Sequence, residues 1–396
     1  MDFRFTEEEE KLRQEVRQFL SQEHVDKFPV ELEDEYYGMG AGSPAYSRRL
    51  GQKGWLAISW PKEYGGLGRP LMERFILLEE LTYHRAPQAS HFFNDSVGPS
   101  IIRHGTEKQK QAFLPNMSRG ELFFCTGLSE PDAGSDMLAT KTKATKNGNS
   151  YIVSGQKVWI SGAHVSHWML TLARTDPEAP KNRGLSILLV DLKSPGVTVR
   201  PITNMASLES FNEVFLDDVR VPQENLLGEE NKGLRVVFES LEGDRFWARA
   251  GRAPLAKRDL EDLVEYVKET KFCRESLAAN QTVRHMLVEL AVDIEACRLL
   301  TYKVAWLLSN GASLTHEACI VKTFSDLLAH RLANIGLQIL GPYAEPNSDS
   351  RWSALQKRMT RMYAFSPGYL IAGGTVEIQK QTIAMRGLGL GTPPSR

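Results

Sequence analysis

The feature that most constrains this chain is a hydrophobic period that changes twice. Up to about residue 122 apolar residues recur at helical spacing, as in Leu12, Val16, Phe19 and Leu20. Thr6 followed by Glu7 to Glu10 reads as a helix N-cap with acids in the first turn. Further helices are expected over residues 72–83 and 96–104, beyond the turn residues of 60–68. From about Phe123 to Val221 the pattern becomes short β-prone runs, at 151–153, 157–160, 185–190 and 214–216. Turn residues such as Lys146-Asn147-Gly148-Asn149 separate them. From about Asn231 long amphipathic patterns return over roughly 233–268, 281–309 and 313–340. In the second of these, Val283, Met286, Leu287, Leu290, Ile294, Cys297 and Leu300 form an apolar stripe. We therefore expect an α+β chain: an N-terminal helical domain over 1–122, a central, mostly antiparallel β-barrel domain over 123–230, and a C-terminal four-helix bundle over 231–396. That order by itself names no function.

Composition removes several classes. A chain of 396 residues exceeds the usual single core. Its 42% hydrophobic and 24% charged residues are the balance of a folded protein. A net charge of -1 gives no general field for nucleic acid. Cys125, Cys273, Cys297 and Cys319 form no C-x-x-C pair and no metal-ligand cluster, so no metal is expected and the thiols are read as free. No apolar run is long enough to cross a bilayer, and the N-terminal residues resemble neither a secretion signal nor a transit peptide. A cytoplasmic location is the simplest expectation.

Four motifs carry chemistry. They are Cys125-Thr126-Gly127-Leu128-Ser129-Glu130-Pro131-Asp132-Ala133-Gly134-Ser135-Asp136, then Gly155-Gln156-Lys157-Val158-Trp159-Ile160-Ser161, then Phe211-Asn212-Glu213-Val214-Phe215 with Val219-Arg220-Val221-Pro222, and Gly373-Gly374-Thr375-Val376-Glu377-Ile378-Gln379. Small residues such as Gly127 and Gly134 let backbone approach a flat ring or a pyrophosphate. Backbone N–H groups and hydroxyls can satisfy a ring's polar edge. Singly, each motif reads as an ordinary turn or a core tryptophan. Together, in this order and spacing, they resemble the acyl-CoA dehydrogenase family over nearly the whole chain.

That resemblance implies an FAD-dependent oxidoreductase acting on CH–CH donors, converting an acyl-CoA to the 2-enoyl-CoA and passing electrons to an electron-transferring flavoprotein. It implies that Thr126, Leu128, Ser129, Trp159, Ile160 and Ser161 seat the isoalloxazine. Gly134 belongs to the same cofactor-binding run, and Ser135 approaches the CoA. Gln338 and Gly341 match the segment through which a neighbouring subunit reaches the FAD phosphates, although Pro342 and Tyr343 depart from the family pattern there. Thr375 and Glu377 match positions near the pyrophosphate and adenine; Glu377 reads equally as a helix-face charge. Arg274 is the candidate for an arginine that crosses a dimer to the flavin.

The base needs separate treatment. An α C–H beside a thioester is weakly acidic, so the carbonyl must be polarised and a carboxylate must face the proton. The resemblance assigns carbonyl binding to the Gly373 N–H. Many members carry glutamate at the position of Gly373; this chain does not. A second group carries it on the first helix of the C-terminal region, where Leu241-Glu242-Gly243-Asp244-Arg245 stands here. Asp244 is the candidate base, shorter than glutamate by about 1.5 Å; it reads also as an ion-pair partner or helix cap. Glu242 lies about 200° round the helix from Asp244, and its match in the family bonds the pantetheine chain. Arg245 supports the base or a substrate oxygen, or is an ordinary ion-pair partner. Asp95 is a second candidate base, and at the start of its expected helix it reads also as an N-cap.

A base displaced from the C-terminal loop implies a bulky, branched or ring-bearing acyl group. The alternatives are a non-catalytic or partner subunit of a heteromeric dehydrogenase, and a related flavoenzyme such as an acyl-CoA oxidase or a desulfinase. The resemblance implies a homotetramer, and the altered segment after Gln338 raises a heterotetramer with a related subunit.

Overall fold

A computed structural model describes residues 4–23, 43–87, 89–272, 274–341 and 350–391, and their side chains except those of 43–44, 89–95, 241–245 and 272. In chain order the helices are α1 (Glu7–Gln22), α2 (Ser43–Gln52), α3 (Leu71–Tyr83), α4 (Ala89–His104), α5 (Glu107–Ser118), α6 (Gly233–Ala250), α7 (Arg252–Glu269), α8 (Gln281–Ser309), α9 (Glu317–Leu340), α10 (Ser353–Ile371) and α11 (Val376–Thr382). Between α5 and α6 lie the strands β1 (Phe124–Gly127), β2 (Lys143–Asn147), β3 (Ser150–Ser161), β4 (Trp168–Arg174), β5 (Leu185–Asp191), β6 (Val197–Ile202), β7 (Phe211–Pro222) and β8 (Leu226–Leu227). The chain divides into two compact units, residues 35–69 with 87–244, and residues 1–34 with 70–86 and 245–396.

The first unit is built on the sheet. Its strand order is β6-β7-β3-β2-β4-β5-β8, with β1 added against β4. Gly148 and Asn149 make the two-residue turn between β2 and β3, and Gly148 takes a φ of 58° there. The barrel expectation is corrected. The sheet is mixed, because β1 and β2 both pair β4 in parallel, and among the described residues no pairing joins β6 to β8. Burial explains why it need not close. On β5, Leu185, Ile187 and Leu189 enter one core with Val97, Ile101, Phe113 and Leu114 of α4 and α5. The alternate residues Leu188 and Val190 enter a second core with Tyr151, Val153 and Val214. The central strands are thus covered on both faces, which is why 187–190 reads as an unbroken apolar run.

The second unit is helical. Thr6 caps α1: the Glu9 N–H donates to its hydroxyl at 3.2 Å, while the Thr6 N–H donates to Glu9 Oε2 at 2.8 Å. Leu12, Val16, Phe19 and Leu20 are the buried face, as their spacing requires. In α8 the apolar stripe places Leu287, Leu290, Ile294 and Cys297 in a core with Leu263 of α7, Leu332 and Ile335 of α9, and Met359 of α10. The amphipathic pattern over 233–268 forms two helices, α6 and α7, parted at Gly251. A Cβ at Gly251 would stand 2.5 Å from the Thr82 hydroxyl of α3, so this position holds a close approach that a larger residue would block. Cys125, Cys297 and Cys319 are buried, and among the described residues they form no disulfide. Among the described residues no helix is long and apolar enough to cross a membrane, and no group of three His, Cys, Asp or Glu could hold a metal.

Candidate functional site

In the sheet unit two of the expected segments meet. β1 runs parallel to β4, with Thr126 opposite Leu170, and ends at Gly127. Just beyond it the Val158 N–H donates to the Ser129 carbonyl at 3.0 Å, which lays the segment after β1 beside the middle of β3. There the pairing of β3 with β7 slips between Lys157 and Ile160. Trp159 sits in the slip with φ at +61° and its indole 61% exposed, edge-on to Phe211 at 6.2 Å. A left-handed backbone on a bulky residue costs about 1–3 kcal/mol, and a bulge serves to re-aim a side chain. Here it turns a large aromatic face outward.

The neighbouring positions differ in what they offer. Thr126 and Ser161 are half-buried hydroxyls, and Ser135 is exposed. Leu128 packs partly against the helix-side core, and Ile160 is buried in the opposite sheet core. A Cβ at Gly134 would meet nothing within 4 Å, so the backbone there borders open space. Gly127 is different: its Cβ would lie 2.6 Å from Met169 Sδ, so packing of β1 on β4 requires that glycine.

Beneath this surface lies a pair that sequence reasoning missed. Lys157 is 0% exposed, and its ammonium donates to Glu130 Oε1 at 2.8 Å and to the Leu128 carbonyl at 3.3 Å. The Glu130 carboxylate also accepts the Lys141 N–H at 2.6 Å and the Thr142 N–H at 3.0 Å. Burial pushes Lys157 down to about 8 against the opposing pull of Glu130. Burial works to raise Glu130, yet the Lys157 charge and these donors hold it below its ordinary value.

In the helical unit the Gly373-Gly374 turn follows α10. Both glycines have positive φ, 69° and 89°. Arg249 Nη2 donates to the Ala372 carbonyl at 3.0 Å. Gln379, 0% exposed, donates from Nε2 to the Gly373 and Gly374 carbonyls at 3.3 and 3.2 Å. Its Oε1 is buried and takes no donor among the described residues. Arg249 Nε lies 3.4 Å from Asp326 Oδ1, and Lys322 donates to Asp326 Oδ2 at 2.8 Å and to the Tyr369 carbonyl at 3.3 Å. Two cations anchored on one buried carboxylate thus meet the C-terminal end of α10, where carbonyls lack helical partners. Burial and then Arg249 push the Lys322 pKa down.

The other expected residues fall as follows. Thr375 caps α11, its hydroxyl accepting the Ile378 N–H at 3.3 Å. Glu377 is exposed in the first turn, and its own backbone N–H and the Thr375 hydroxyl hold its carboxyl below the usual range. Arg274 is exposed at the turn between the short strands Lys271–Phe272 and Glu275–Ser276. Gln338 and Gly341 are exposed at the end of α9. Asp244, Glu242 and Arg245 lie on α6, with side chains outside the described residues. Asp95 lies well inside α4, which begins at Ala89; the N-cap reading is therefore corrected, and its side chain too lies outside the described residues. Of the missed residues, Lys322 and Asp326 carried a signal, a charge pair at i, i+4 inside an apolar stripe. Glu130 and Lys157 carried none, and neither did Arg249 and Gln379.

Three family models match the chain consecutively: the acyl-CoA dehydrogenase N-terminal domain over residues 6–121, the middle domain over 125–219 and the C-terminal domain over 231–388. The acyl-CoA dehydrogenase FadE26 of Mycobacterium tuberculosis is 32% identical over 98% of this chain and 99% of its own length. The solved Tcur3481-Tcur3483 steroid ACAD superposes with a TM-score of 0.87 at 28% identity, covering 100% of both chains. The ChsE4-ChsE5 complex from Mycobacterium tuberculosis superposes at 0.86 with 30% identity, covering 99% of this chain and 100% of that one.

Proposed function

The chain belongs to the acyl-CoA dehydrogenase family, an oxidoreductase family acting on CH–CH donors, and from that premise we propose that it performs FAD-dependent α,β-dehydrogenation of a bulky, branched or ring-bearing acyl-CoA, with electrons passing on to an electron-transferring flavoprotein. The observation that carries the cofactor reading is the Trp159 bend, an exposed indole on a left-handed backbone hydrogen-bonded through Val158 to the segment after β1. An aromatic face, two half-buried hydroxyls at Thr126 and Ser161, and open space at Gly134 fit a flat polar-edged ring. Thr126, Leu128, Ser129, Trp159 and Ser161 would hold it. FAD, when bound, supplies the acceptor for two electrons and the β hydrogen.

This chain's residues would do the rest. The Gly373 N–H donates to the thioester oxygen and so acidifies the α carbon. The Asp244 carboxylate on α6 accepts the α proton, and Glu242, on another side of that helix, holds the pantetheine chain. Glycine at both 373 and 374 leaves the exposed side of the turn without side chains, which supports a large acyl group, as does likeness to a protein described as a steroid ACAD. The test is bleaching of flavin absorbance by a panel of acyl-CoA thioesters. We expect ring-bearing or branched chains to react fastest and Asp244→Asn to slow bleaching about 10²–10⁴-fold. A preference for short linear chains would overturn the substrate class, and loss of reaction in Asp95→Asn alone would remove Asp244 from its role.

A second reading concerns assembly. The ChsE4-ChsE5 structure is a complex of two differently named chains, and this chain departs from the family pattern after Gly341. Both support a heteromeric enzyme in which a related subunit completes the cofactor site.

A further inference from the structure

The turn after α10 is held in an unusual way. Three consecutive carbonyls, those of Ala372, Gly373 and Gly374, are all taken by buried side-chain donors from Arg249 and Gln379. Ala372 and Gly373 are nevertheless exposed. The turn therefore has a sequestered carbonyl side and an open side. A side chain at either glycine would be strained: both have positive φ, a Cβ at Gly373 would stand 3.3 Å from both Arg249 Nη atoms, and one at Gly374 would stand 2.5 Å from Gln379 Nε2. Arg249 is itself fixed, since Asp326, fully buried, ties it to Lys322, which holds the Tyr369 carbonyl.

We propose that Arg249 and Gln379 are positioning residues: by taking the Ala372, Gly373 and Gly374 carbonyls they hold the peptide planes of the turn so that its N–H groups face the thioester oxygen. The physical reason is that a peptide's C=O and N–H point in opposite directions, so fixing one fixes the other. A turn of two glycines has wide conformational freedom, and donors aimed at a developing negative charge contribute to rate only when already oriented. Arg249 and Gln379 remove that freedom from one side while leaving the other side to substrate. The inference rests on the dehydrogenase reading for its catalytic part, and on geometry alone for its structural part.

The experiment uses the holoenzyme with its natural assembly. Gln379→Met keeps length and burial but loses both donated hydrogen bonds; Gln379→Glu and Arg249→Ala are the companion variants, and Arg249→Lys is the conservative one. Hydrogen–deuterium exchange in the peptide spanning residues 370–380 should rise about tenfold in Gln379→Met, with the sheet segments unchanged. Flavin bleaching at saturating thioester should slow about 10- to 100-fold, while the thioester concentration for half-saturation and the FAD content stay close to wild type. Arg249→Lys should recover most of the rate lost in Arg249→Ala. Unchanged exchange in the 370–380 peptide overturns the clamp, whatever the activity. Raised exchange with an unchanged saturated rate overturns its part in the reaction. If the wild type is bleached by no acyl-CoA, the dehydrogenase reading fails separately, and the exchange measurement still decides whether the turn is held.

Discussion

Lys157 is a charge set where water does not reach it, and its value lies in what it joins. Its ammonium binds the Leu128 carbonyl and Glu130 from one segment while it sits two residues before Trp159 on the other. Removing one member of such a pair leaves the other charge buried and uncompensated, which costs about 3–5 kcal/mol. Lys157→Met should therefore lower the urea midpoint strongly and release flavin. Adding Glu130→Gln to the same protein should recover much of the midpoint, because no buried charge remains. Equal midpoints for Lys157→Met and wild type would show that the pair carries no structural load. Neither residue could be matched from the sequence. They are far apart along the chain, each sits inside a motif dominated by glycine and aromatic residues, and only the register between two strands brings them together. The aromatic Trp159 was legible as part of a motif, but its left-handed backbone was not, since a pairing slip leaves no mark on periodicity.

At the scale of elements, local pattern and non-local pairing separate cleanly. The β-prone runs and the turn at Gly148 are visible because alternation and turn chemistry are local. The parallel placement of β1 and β2 against β4 is not, because it depends on partners distant in sequence, and so an antiparallel barrel was expected where an open mixed sheet exists. The amphipathic stripes of α1 and α8 placed their buried faces correctly. The parting of α6 from α7 was hidden, because Gly251 answers to α3 rather than to its own helix. β1 gives a direct test of element packing. In Gly127→Ala the new methyl meets Met169, which is fully buried, and overpacking of this kind costs about 1–3 kcal/mol. Thermal unfolding should occur several degrees lower, and pairing Gly127→Ala with Met169→Ala should restore part of the loss. An unshifted transition would mean that β1 yields without strain.

For the whole molecule, the division into two units does not follow the linear order of the chain. α1 and α3 belong with the C-terminal helices, while α2, α4 and α5 belong with the sheet, and α6 carries the boundary between Asp244 and Arg245. If a related subunit completes the cofactor site, this chain made alone should carry less than one FAD per polypeptide. Co-production with that subunit should then raise the ratio, as read by absorbance and native mass spectrometry. A full complement of flavin with full turnover in the single-chain protein would exclude the heteromeric reading.

The guanidinium beside residue 373 also limits which side chains that position can put to use. A glutamate introduced there would begin from a left-handed backbone with Arg249 3.3 Å from its first side-chain carbon. A nearby guanidinium favours the charged form of a carboxylate and so weakens it as a base. A carboxylate at residue 373 would therefore need a change at residue 249 as well before it could serve as a base.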